Sequence, residues 1–95
     1  MRLVVLHSPG PRWQPGVPAF DQDGLQLHVA HYAALLEAGK LLMGGPFMDA
    51  KSGGIMIAEP GVDEQELQTF AADDPAVRSG LLAFEIRPWM VGLGR

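Results

Sequence analysis

Three short runs, Leu3-Val4-Val5-Leu6, Leu41-Leu42-Met43 and Ile55-Met56-Ile57-Ala58, are apolar at consecutive rather than alternating positions. A strand that faces water on one side alternates apolar and polar side chains, so consecutive apolar residues ask for cover on both faces. A chain of 95 residues has room for one sheet and two helices, and none for a second layer of its own. If the helices take one face of the sheet, the other face needs a partner. A second copy packed sheet to sheet about a two-fold axis is the simplest one, and a homodimer is expected.

Glycine, proline and aspartate divide the chain into elements. Residues 2–7 read as a β-branched strand stopped by Ser8-Pro9-Gly10-Pro11, and residues 8–20, rich in proline around Arg12-Trp13, read as a loop with little regular structure. Asp21 or Asp23 is placed to cap a helix that runs to Gly39, a natural C-terminal stop. Residues 40–47, interrupted by Gly44-Gly45-Pro46, and residues 54–59 are the next strands, joined by a turn at 49–53. Asp63-Glu64-Gln65-Glu66 has the form of a capping box and opens a second helix through Leu67, Phe70 and Ala71. Asp73-Asp74-Pro75 ends it and begins a further short turn, after which residues 81–89 form the last strand. The order βαββαβ predicts a single α+β domain over residues 1–95. Its arrangement is ferredoxin-like, an antiparallel four-stranded sheet with two helices on one face.

Composition excludes several classes of function. Apolar residues make up 47% and charged residues 19%, which predicts a buried core rather than disorder. The net charge is −4 and the basic residues are scattered, so there is no footprint for a phosphate backbone and nucleic acid is not an expected partner. Without cysteine there is no disulfide, thiolate nucleophile or sulfur-based zinc site. No segment approaches the length of a membrane span and the first apolar run is too short for a signal-peptide core, so a membrane is not an expected partner and a cytoplasmic location is the expectation. Ser8, Ser52 and Ser79 lack any nucleophile-elbow context and read as turn residues.

The chemistry concentrates in the first helix. At about 100° per residue Leu25, Val29, Tyr32, Leu35 and Leu36 share one arc; His28 falls inside it and His31 at its edge, beside Leu27. An imidazole in an apolar stripe is either a hydrogen-bonded core residue or a half-buried general acid or base, and both readings stay open. His28 and His31, three apart, could share a metal ion with His7 or Asp74 as a further ligand. Spacing specifies no third ligand, so no metal is expected. Haem would need an axial histidine facing a large cavity, and no cofactor is expected.

The run His28-x-x-His31-Tyr-x-x-Leu-Leu-x-x-Gly39-Lys-Leu-Leu-x-Gly-Gly45-Pro46-Phe47, followed by Gly53-Gly54-Ile-x-Ile, Phe70-Ala-x-x-Asp74-Pro75-x-x-x-x-Gly80-Leu81 and Pro88-Trp89, resembles the YciI-like (YCII-related) family across nearly the whole chain. The resemblance implies a dimeric α/β barrel of ferredoxin-like units. It also implies a histidine–aspartate pair that falls on His28 and Asp74, and proton chemistry on small, often cyclic or halogenated organic acids. The opening Leu6-His7-x-Pro9-Gly10-Pro11 resembles a subgroup in which His7 joins the site. Physically, a carboxylate accepting from one imidazole nitrogen fixes the tautomer and leaves the other free to move a proton. Asp directly before Pro is also the ordinary N-cap of a short helix, and the two roles can coexist. Gly44, Gly45 and Pro46 would admit substrate close to the backbone, or simply mark a bulge or bend at a strand end. Trp13 is either a lid over the cavity or an anchor for its loop.

The expected protein is thus a small dimeric enzyme of lyase or isomerase type acting on a small organic substrate. Its catalytic residues would be His28 and Asp74, and its substrate contacts His7, Trp13, His31, Gly44, Gly45 and Pro46. The competing expectation is a non-catalytic module that binds a small ligand or a partner through the same fold.

Overall fold

The computed structural model describes residues 1–94. Four strands, β1 (Arg2–Pro9), β2 (Leu41–Pro46), β3 (Gly54–Ala58) and β4 (Leu82–Trp89), form one sheet in the order β2-β3-β1-β4 with every neighbour antiparallel. Three helices, α1 (Leu25–Glu37), α2 (Glu64–Ala72) and the single turn α3 (Pro75–Arg78), complete the ferredoxin-like α+β fold. None of the helices is long and apolar enough to cross a membrane, among the described residues.

Cross-strand partners share a face of the sheet, so the register assigns the two sides. Val5 pairs with Met56 and Ile86, and these side chains meet Tyr32, Leu35, Leu67 and Ala71 in the core beneath the helices. Removing a side chain such as Leu67 from water is worth about 1.5–3 kcal/mol. Val4 pairs with Ile57 and Leu6 with Ile55 on the opposite face, which no helix covers. The consecutive apolar runs of β1 and β3 thus supply both faces.

Four local expectations are corrected. Neither Asp21 nor Asp23 caps α1: its N-cap is Gly24, with φ 93°, and no side chain caps it. The segment ahead of it is instead fastened by Gln22, buried, whose amide donates to the Gln14 and Val17 carbonyls and accepts from the Gln14 N–H. Asp21 ends a 3₁₀ turn at Ala19–Asp21, so the loop over residues 8–20 is more ordered than its prolines suggest. β1 also continues past His7, because Ser8 and Pro9 pair with Ala83 and Leu82 beyond the end of β3. In β2 the irregularity lies between Leu41 and Met43, ahead of Gly44 and Gly45.

At the start of α2 the expected cap is present: Asp63 accepts from the Glu66 N–H at 2.9 Å. The Asp73-Asp74-Pro75 segment then turns directly into α3, with Asp74 as its N-cap and Pro75 at the first helical position. This brings Asp74 under α1.

Candidate functional site

Three elements converge on one buried cluster. β1 brings His7 to the helix side of the sheet, α1 brings His28 and, one turn later, Tyr32, and the cap of α3 brings Asp74. His28 Nδ1 lies 2.6 Å from Asp74 Oδ2, closing a separation of 46 residues. Asp74 Oδ1 accepts from the Ala76 N–H at 2.9 Å, so the carboxylate caps α3 and holds the imidazole at once. His7 meets His28 edge to face at 4.7 Å between ring centres, and its Nε2 lies 3.4 Å from the Tyr32 hydroxyl and 3.9 Å from Asp74 Oδ2.

Electrostatics distinguish the members. Burial alone would raise the Asp74 pKa, but the hydrogen bond with His28, the Ala76 N–H and the charges of both histidines outweigh it and hold the carboxyl below its ordinary value. An ionised carboxylate only accepts, so His28 carries its proton on Nδ1 and keeps Nε2 as its basic nitrogen when neutral. Burial, reinforced by the charge of His28 and opposed by Asp74, pushes His7 down to about 4. His7 is therefore neutral at pH 7, and its approach to Asp74 is no ion pair. Burial and the Asp74 charge raise the Tyr32 pKa, keeping that hydroxyl protonated.

The cluster opens on a cavity of about 500 Å³. His7, Trp13, His28, Gly44, Gly45 and Pro46 all line it. Trp13 also packs against the Ala76, Leu81 and Leu82 cluster, which anchors its loop. His31 is not among the lining residues: its ring stacks on Phe70 at 3.9 Å and its Nε2 pairs with the Phe70 carbonyl at 2.7 Å, at the seam between α1 and α2. A metal site shared by His28 and His31 therefore lacks its second ring.

The groups that come together are His7, His28 and Asp74, with ligand atoms within 4.8 Å of one another. A tetrahedral ion with bonds of about 2.1 Å would hold its donors roughly 3.4 Å apart. The His28–Asp74 contact is shorter than that and has the geometry of a hydrogen bond.

Tyr32 was legible as a member of the apolar arc but not as a site residue. The available signal was its position four residues after His28, on the same helical face. Val29 and Leu36, taken for core by the same arc, are half exposed and line the cavity.

With this fold and site in place, the chain belongs to the YCII-related domain family, whose pattern it matches over residues 1–90. No curated protein matches it in sequence. Among solved structures it is similar to 5-chloro-2-hydroxyhydroquinone dehydrochlorinase (TftG) from Burkholderia phenoliruptrix AC1100 in complex with 2,5-dihydroxybenzoquinone. The TM-score is 0.57 and the identity 23%, over 95% of this chain and 94% of that one. At that identity the likeness is one of fold.

Proposed function

We propose that this protein is a small enzyme of lyase or isomerase type that moves a proton on a small organic substrate, with His28 as the acid or base and Asp74 as the residue that orients it. The observation that carries the proposal is the buried 2.6 Å contact between His28 Nδ1 and Asp74 Oδ2 beside a cavity of about 500 Å³. With Nδ1–H committed to the carboxylate, Nε2 takes a proton from substrate and the imidazolium is stabilised by Asp74. The electron pair left behind forms a double bond. A leaving group then departs from the neighbouring carbon, or the proton returns to a different atom. Tyr32, held protonated, donates to oxygen where negative charge develops. His7, Trp13, Gly44, Gly45 and Pro46 are proposed as the substrate-contacting wall. The similar structure is named a dehydrochlorinase and holds a small dihydroxybenzoquinone, which favours lyase-type chemistry on a small ring compound.

We also propose that the active form is a homodimer. The helix-free face carries Leu6, Ile55 and Ile57, partly exposed, around the buried Val4, an apolar surface suited to a second copy.

The test is a panel of small lactones, phenols and halogenated acids, scored for thermal stabilisation of the protein and, in D₂O, for deuterium incorporation or halide release by mass spectrometry. Turnover of a hit by the wild type and its loss in His28→Ala are expected. Stabilisation by ligands with no turnover of any of them would make the protein a binding module instead.

A further inference from the structure

We infer that the molecule this cavity takes is neutral, of two-ring size, and presents one hydroxyl to His28; it is not a carboxylate or a phosphate. The inference rests on reading the cavity as the substrate site and narrows what can enter it.

Size is the first argument. A cavity of about 150 Å³ suffices for benzene, and the space here, about 500 Å³, is roughly three times that. A single ring would leave most of the wall without contacts.

Polarity is the second. His7, His28 and Tyr32 have ring centres 4.7 to 5.4 Å apart, so the polar groups form one compact patch. The rest of the wall is largely apolar side chains and glycine, and it runs out to Phe20, Val29 and Leu36, which stand exposed at the surface. A ligand with one polar end and an apolar body matches that distribution.

Charge is the third. No lysine or arginine lines the cavity among the described residues, and the ionised group behind the histidines, Asp74, is itself an anion. Any proton on His28 is already balanced by Asp74. An anionic ligand would shed its hydration without meeting an unpaired cation, a costly exchange. The organic acids expected from the family resemblance are the compounds this wall disfavours.

His28 names the polar group. Its Nδ1–H is committed to Asp74, so the neutral ring keeps Nε2 as a bare acceptor. His28 lines the cavity, and a bound O–H would supply that nitrogen's partner. A phenolic or enolic hydroxyl is the donor that fits.

The experiment titrates the wild-type protein at pH 7 with 2-naphthol, phenol, 6-hydroxy-2-naphthoate and 2-methoxynaphthalene, following calorimetry and intrinsic tryptophan fluorescence. These probes vary size, charge and the hydroxyl one at a time. Binding of 2-naphthol at least tenfold tighter than each of the other three is the expected result. Any comparator within tenfold of 2-naphthol, or no binding of 2-naphthol, overturns the inference. Turnover that does not depend on His28 would end the catalytic reading and leave this ranking standing. A failed ranking beside His28-dependent turnover would end this inference alone.

Discussion

The Ala76 N–H lies 2.9 Å from Asp74 Oδ1, so the carboxylate that meets His28 is aimed by the first turn of α3. Stability and site geometry therefore meet in one side chain, and substitutions there should separate them. Asp74→Asn keeps a capping oxygen but loses the charge; it is expected to cost about 1 kcal/mol and to lower turnover sharply. Asp74→Ala removes the cap and leaves the His28 Nδ1–H unpaired, at roughly 2–4 kcal/mol. Urea midpoints for both variants, with turnover of whichever compound the wild type converts, check the split.

Stability should fall on mild acidification. His7 has its folded pKa lowered from 6.5 to about 4, so between those values the unfolded chain binds a proton that the folded one refuses. Stability is lost as pH falls through that window, by an amount on the order of 3 kcal/mol. Asp74, also lowered, adds a loss below the ordinary carboxylate range, as the folded carboxyl is finally protonated. Urea unfolding between pH 7.5 and 4 should show the first slope in the wild type and a flatter one in His7→Gln. Parallel slopes would mean that His7 protonates as freely folded as unfolded.

His31 and His28 should behave oppositely. His31 stacks on Phe70 and bonds its carbonyl outside the cavity wall, so His31→Ala should cost about 1–2 kcal/mol and leave turnover near that of the wild type. His28→Ala should lower turnover by about 10²-fold or more. Equal losses of turnover in the two variants would contradict the roles assigned.

On the helix-free face, Ile57→Asp should convert a dimer to a monomer. Val4 is its register partner, and Val4→Asp, at a more buried position, is expected to aggregate or unfold. Sedimentation of the wild type as a monomer at micromolar concentration would remove the proposed interface.

How much the sequence disclosed depends on whether the deciding interactions are local. Gly39 turns through its own backbone and Asp63 caps the helix that directly follows it, and strand and helix order were legible from such residues. The start of α1 was not, because Gln22 fixes it through bonds back to Gln14 and Val17, which compete with capping by Asp21 or Asp23 in a way that composition does not reveal. His31 looked equivalent to a site residue until the placement of α2 gave it Phe70. The juxtaposition of His28 with Asp74 came through family resemblance; nothing in the periodicity of α1 encodes a partner 46 residues away.

The ladder between β1 and β4 pairs Arg2 with Trp89 and Pro9 with Leu82, and His7 lies within it, opposite Phe84. The sheet side of the cluster is thus complete only when the first and last strands have met, an event that in folding waits on closing nearly the longest loop the sequence offers. Dismantling it requires peeling the edge strand β4 from β1 along eight paired residues, a cooperative unfolding rather than the lifting of a flap. A tight ligand should then slow hydrogen exchange along β1 and β4 by the same factor as it raises global stability, tying occupancy of the cavity to the lifetime of the whole domain.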